Sequence, residues 1–176
     1  MILGLDISTS ITGVTVLDDE GSVQFNEAWD TRNKNHFPDL FRKAEYINLR
    51  LLNLQESFSI DSVYIEQSLQ SFRSGYSSAQ TLSTLSRFNG IVSWLCYDVF
   101  GQRPEMISAS TARKMCGIKI KRGEKAKAKV LQFIVDTEPS FGVLYTKHGN
   151  PKPGCFDRAD SLVIARAGYE LCKQKN

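Results

Sequence analysis

Apolar positions fall into two rhythms along this chain. Near the start, Ile2, Leu3, Leu5 and Ile7 leave room only for Gly4 and Asp6, which predicts a strand over 2–7 covered on both faces. Ser8, Thr9 and Ser10 make a polar turn, and residues 12–17 alternate as a second strand. A third strand, from about 22 to 29, follows the turn Asp18-Asp19-Glu20-Gly21. Two tight connections in succession imply an antiparallel meander. From 37 to 58 the rhythm changes: Phe41, Ala44, Ile47, Leu51, Leu54 and Phe58 recur at helical spacing, with Pro38 in a first-turn position. Residues 60–66 return to a strand. The helix is therefore a crossover, and the fourth strand is expected beside the first and parallel to it.

A second long helix is predicted over 77–100 from Leu82, Leu85, Phe88, Ile91, Val92, Leu95 and Val99, ended by Gly101 and Pro104. Residues 105–108 read as a short strand, and Ser110 as the cap of a brief helix reaching Met115. A basic loop over 117–123 leads to a helix over 124–135, with Ala126, Val130, Phe133 and Ile134 on one face. A Pro- and Gly-rich connection over 137–154 precedes a last helix over 155–172. The order β-β-β-α-β-α-β-α-α describes an α/β fold, a mixed five-stranded sheet flanked by helices. Nothing in composition or repetition divides the 176 residues, so 1–176 is expected to form a single domain.

Composition changes this picture modestly. A hydrophobic content of 41% suffices for one core, and a net charge of +3 predicts little by itself. The distribution of charge says more. Arg113, Lys114, Lys119, Lys121, Arg122, Lys125, Lys127 and Lys129 crowd one stretch with Glu124 alone against them, while Asp18, Asp19, Glu20, Glu27, Asp30 and Asp39 make the N-terminal part acidic. That asymmetry fits nucleic-acid binding, although a solvated helix face beside a basic loop would give the same run. Cys96, Cys116, Cys155 and Cys172 have neither CxxC nor zinc spacing and read as reduced thiols. With no basic leader and no apolar run of bilayer length, a soluble protein of a reducing cytosol is the expectation.

The chemistry lies in the acids that end these elements. Asp6 closes the first strand and Glu66 the fourth, whereas Asp157 and Asp160 open the last helix on one face of its first turn. Carboxylates at the ends of buried elements are costly unless paired or metal-bound, and a cluster of them suits Mg²⁺ held against a phosphodiester. Taken singly, each acid reads more simply as a turn or capping residue. Adjacent first and fourth strands bring Asp6 and Glu66 together, and a docked helix end adds the other two. Lys119, Ile120, Lys121, Arg122 and Gly123 form a cationic loop suited to phosphates, and Arg73 and Tyr76 sit in a polar loop after Glu66. The second helix is apolar on more than one face, which implies full burial or an interface.

Gly4-Leu5-Asp6-Ile7-Ser8, Tyr64-Ile65-Glu66-Gln67 and Asp157-Arg158-Ala159-Asp160-Ser161 resemble the three acidic motifs of RuvC-type Holliday junction resolvases. The resemblance runs over nearly the whole chain, including Ser78-Ala79, Gly90 and Gly123-Glu124-Lys125. It implies a ribonuclease H-like fold, a homodimer joined through the second helix, and Mg²⁺-dependent paired nicking of four-way DNA junctions. On this resemblance Asp6, Glu66, Asp157 and Asp160 are the catalytic, metal-binding acids, with two Mg²⁺ ions per site and Mn²⁺ as a possible substitute. Lys125, and Arg113 or Lys114, match DNA contacts; Arg73, Tyr76, Lys119, Lys121 and Arg122 extend that surface. The size is similar to that of stand-alone bacteriophage resolvases, which implies a bacterial or phage-infected cytoplasm. Two features depart from the family pattern. Leu69 stands where an aromatic residue is usual, leaving Phe72 or Tyr76 to stack at the junction, and the 137–154 connection, with Tyr145, Lys147, His148 and Lys152, is longer than usual. Other readings are a nuclease for RNA or RNA–DNA hybrids, a non-catalytic DNA-binding module, and an actin-like nucleotide-binding fragment, whose first phosphate loop Asp6-Ile7-Ser8-Thr9-Ser10 and Gly13 resemble.

Overall fold

The computed structural model describes residues 1–67 and 79–175. Strands β1 (Ile2–Asp6), β2 (Ile11–Leu17) and β3 (Val23–Asp30) form the meander. Helix α1 (Leu40–Ser57) crosses to β4 (Ser62–Glu66), and α2 (Ala79–Phe100) leads to β5 (Glu105–Ile107). Helices α3 (Ala109–Met115), α4 (Ala126–Thr137) and α5 (Pro153–Lys175) follow. The five strands lie in the order β3-β2-β1-β4-β5, with β1–β2 and β2–β3 antiparallel and β1–β4 and β4–β5 parallel. The expected mixed sheet is present, with its first and fourth strands adjacent.

Two apolar layers cover the sheet. Leu3, Leu5, Val14, Val16 and Trp29 pack with Ile47, Leu51 and Leu54 of α1 and Phe88, Val92, Leu95 and Cys96 of α2. On the opposite face, Tyr64, Leu17 and Ile107 pack with Ala112 of α3, Val130, Leu131 and Ile134 of α4, and Leu162 to Ala165 of α5. The second strand therefore differs from its alternating pattern. All of β2 is buried, because its small and polar residues meet α5 rather than water. Gly13 faces Asp157 and Ser161, and the Thr15 and Ser161 hydroxyls share a buried 2.8 Å hydrogen bond.

Three local expectations also give way. Asp39, not Pro38, begins α1: its carboxylate caps the helix by accepting from the Arg42 amide. Phe41, read as a core position, is 77% exposed, since α1 buries only the stripe through Ile47, Leu51 and Leu54. Ser108 rather than Ser110 caps α3, with its hydroxyl accepting from the Thr111 amide. The sequence Ser108-Ala109-Ser110-Thr111 offers two serines two residues apart, and the end of β5 selects the first.

The acidic cluster and its cationic rim

The site lies where the parallel strands end. Leu5 pairs with Ile65 across β1 and β4, so the next residues, Asp6 and Glu66, emerge side by side at the same edge. On the other flank Asp6 pairs with Gly13 of β2. A Cβ built on Gly13 would lie 1.9 Å from the Asp157 carbonyl oxygen. Only glycine lets the first turn of α5 rest on the sheet there, and that contact delivers Asp157 and Asp160 to the two strand ends. Farther along, Gly4 permits the same close approach by Ala165.

A hydrogen-bonded brace fixes the rotation of α5. The Asn26 amide donates to the Thr15 hydroxyl at 2.7 Å and to the Arg158 carbonyl at 3.1 Å, and Arg158 Nε donates back to Asn26 Oδ1 at 2.8 Å. Arg158 also donates to the Gly142 carbonyl and lies over the Phe141 ring. These side chains flank Asp157 and Asp160 and hold the turn that carries them.

Burial and mutual repulsion show in the titration of the acids. Asp6 is raised well above the ordinary carboxylate range, first by desolvation and then by Glu66, Asp160 and Asp157, with Lys127 opposing. Glu66 rises to about 7 through desolvation and Asp160, against the pull of Arg113 and Lys127. Asp160 rises to about 6, again chiefly by desolvation. Asp157 is raised by burial while Lys127 and Arg32 hold it down.

Lys127 is the cation at the centre of this field. Its Nζ lies 3.8 Å from Asp157 Oδ1 and 3.9 Å from Asp160 Oδ2, on a side chain that is otherwise 65% exposed. Although desolvation opposes it, attraction from Asp157, Asp160, Asp6 and Glu66 raises the Lys127 ammonium above its usual pKa. In the basic run, Lys127 carried no distinguishing mark. Its position one turn inside α4 singles it out, and that depends on how α4 docks on α5. Arg32, which pairs with Asp30 at 2.6 Å, acts on Asp157 from the β3 side.

The other expected residues divide by place. Arg113 reaches the cluster electrostatically, acting on both Glu66 and Asp160, whereas its neighbour Lys114 is exposed. Lys119, Lys121, Arg122 and Lys125 are exposed on the segment between α3 and α4, and Lys125 stands at the N-terminal boundary of α4. Arg73, Tyr76, Leu69 and Phe72 lie outside the described residues.

A hard oxygen donor set of this kind suits a divalent cation such as Mg²⁺. Four carboxylates that raise one another's pKa, answered by one reaching lysine, leave negative charge for such an ion to neutralise. Among the described residues, no three His, Cys, Asp or Glu side chains are already arranged as a metal shell. Binding an ion would thus require the carboxylates to draw in and the Lys127 ammonium to move aside.

No protein-family model matches the sequence, and no curated protein aligns with it significantly. The fold has clear counterparts among solved structures. RuvC of Thermus thermophilus in complex with a Holliday junction substrate superposes with a TM-score of 0.68 at 17% identity, over 98% of this chain and 95% of that one. A second structure of Thermus thermophilus RuvC gives 0.62 at 16% identity, over 98% and 96%. The yeast mitochondrial Holliday junction resolvase Ydc2 gives 0.58 at 16% identity, over 99% and 84%. The protein is thus an α/β protein of the ribonuclease H-like class. Within that class its chain has the fold of RuvC-type resolvases along almost its whole length.

Proposed function

We propose that this protein is a divalent-metal-dependent endonuclease that resolves Holliday junctions and related branched DNA by paired nicks. The carrying observation is the convergence of Asp6, Glu66, Asp157 and Asp160 from β1, β4 and α5 into one buried, mutually repelling group. Structural acids are seldom gathered at such electrostatic cost without a cation to receive. Those four residues would hold the ion, which when bound supplies an activated water and neutralises charge developing on the phosphate. Arg113 and Lys127 stand at the rim to draw the phosphodiester toward the acids, against the repulsion that carboxylates alone would exert. The exposed cations from Lys119 to Lys125 lie on the adjoining surface and suit backbone phosphates farther out.

Two symmetric cuts require two such sites. On α2 the exposed face carries Trp94, 60% accessible, and Tyr97, 47% accessible, in line with Gly90. Large aromatic side chains left on one helical stripe suit a two-fold contact with a second copy. The reading is tested by incubating the protein with a four-way junction, a linear duplex and an RNA–DNA hybrid, with Mg²⁺ or with chelator. Paired nicks confined to the junction and dependent on the metal are expected. Preferential cutting of the hybrid, or equal cutting of the linear duplex, would overturn it.

A further inference from the structure

The long connection before α5 is an ordered hairpin. Tyr145 bridges to Pro151, the Thr146 amide donates to the Asn150 carbonyl at 2.8 Å, and Gly149 turns with a positive φ of 76°. Its base is pinned to α5. The Leu144 amide donates to the buried Cys155 thiol at 3.3 Å, and the Lys152 amide donates to the Leu144 carbonyl at 2.8 Å. Cys155 lies two residues before Asp157, so the hairpin is fixed relative to the acids. Between hairpin and sheet lies a cleft of about 490 Å³, within the range of about 300–1,000 Å³ usual for small-molecule sites.

The lining of this cleft is of two kinds. Ile11, Ala28, Leu144 and Pro153 give it apolar walls, while Arg32 and Lys152 bring cations to it. The acids in its wall are already engaged, Asp30 with Arg32 and Glu27 with Arg50; Arg158 is committed to Asn26 and Gly142. From 139 to 156 the chain has no Asp or Glu, yet it carries Lys147, His148 and Lys152. Leu144 and Tyr145 are each 60% exposed there. A cationic track beside flat apolar groups is the combination that receives an unpaired nucleotide, phosphate on the cations and base on the apolar wall.

We propose that the cleft between the 142–153 hairpin and the end of β3 is a nucleotide subsite. It takes one unpaired nucleotide of the strand being cut, on the side of the acids opposite Arg113 and Lys127. The base lies against Leu144 and the Ile11–Ala28 wall, and the adjoining phosphate faces Arg32 and Lys152. Arg32 links subsite and acids, since its charge also acts on Asp157. This inference rests on the nuclease reading of those acids. It adds a place for the strand that the acids themselves do not supply.

The test uses the full chain carrying Asp6→Asn, so that DNA is bound without being cut, and four-way junctions with 5-iodouracil at the nucleotides flanking the crossover. After irradiation, cross-links are expected within the peptide spanning the hairpin. Leu144→Ser and Lys152→Ala in the same background are expected to weaken junction binding about fivefold or more, the lower end of what one base stack contributes. Both side chains project outward and only their backbone atoms hold the hairpin, so these variants keep its anchors. Cross-links confined to other segments, or affinities unchanged in both variants, would overturn the subsite. Cutting of junctions by the unaltered protein is scored alongside. If it cuts while the cross-links miss the hairpin, the subsite alone fails. If it cuts no junction, the nuclease reading fails, and cross-linking to single-stranded oligothymidylate bearing 5-iodouracil still decides the subsite by the same two outcomes.

Discussion

Asp6 is the acid with the most neighbours of its own sign, since Glu66, Asp160 and Asp157 all act on it. Replacing it with asparagine keeps size and removes charge. Asp6→Asn is expected to abolish nicking while leaving junction binding within about twofold, because the affinity comes from phosphate contacts by cations; nicking and gel-shift assays on one preparation check this. The same repulsion sets a pH dependence. Glu66 titrates near 7 and Asp160 near 6 in the folded chain, against ordinary unfolded values of about 4.3 and 3.9. Between those limits the folded state binds more protons than the unfolded one, so stability falls as pH rises from about 4 to about 7. Metal-free protein should therefore melt higher at pH 5.5 than at pH 7.5, by an amount on the order of 1–2 kcal/mol. Mg²⁺ should reverse the trend, since it requires the ionised acids. Thermal melts at both pH values, with metal and with chelator, would show it. Lys127 competes for the same acids, so Lys127→Ala is expected to tighten Mg²⁺ binding as read by the metal-induced shift in Tm. An unchanged or weaker shift would mean that Lys127 is no competitor.

At the scale of elements, the placement of α5 decides the site. An alanine at position 13 would put a methyl group 1.9 Å from the Asp157 carbonyl, forcing the helix off β2. Overpacking of this sort costs about 1–3 kcal/mol, which for a chain of this length lowers Tm by about 3–10 °C. Gly13→Ala should thus lose several degrees in a thermal melt and nearly all nicking, though position 13 carries no chemistry. How far these elements were legible follows from the same contacts. Strands β1 and β4 could be read because each apolar run stops at an acid, and their adjacency follows from the crossover rule. The brace of Asn26, Thr15, Arg158 and Ser161 joins residues more than a hundred positions apart, and no local pattern announces it. The alternation in β2 was real, but it marked a face packed by small residues against α5, not a face open to water. Lys127 stayed hidden among its basic neighbours for a related reason: its distinction lies in the docking of α4.

For the whole molecule, the two faces of the sheet have different tasks. The face under α3, α4 and α5 places the acids and their cationic rim, and the opposite face under α1 and α2 leaves Trp94 and Tyr97 outward. If that face joins two copies, Trp94→Ser with Tyr97→Ser should yield a monomer by light scattering. Each monomer should then nick one strand of a junction, and the product should shift from resolved duplexes to singly nicked junctions. Resolution in step with the unaltered protein would place the contact elsewhere. The described residues contain no helix long and apolar enough to cross a membrane.

The resting of α5 on Gly13 also governs when the molecule becomes dangerous to DNA. Asp6 and Glu66 leave the ribosome early, but their partners Asp157 and Asp160 arrive on the last of these helices to be made. Until α5 seats, the growing chain exposes an uncovered sheet bearing half of its acids and no complete site. A nascent or prematurely terminated copy lacking residues beyond about 150 is therefore expected to be inert toward chromosomes, so synthesis errors make a harmless fragment rather than a loose nuclease.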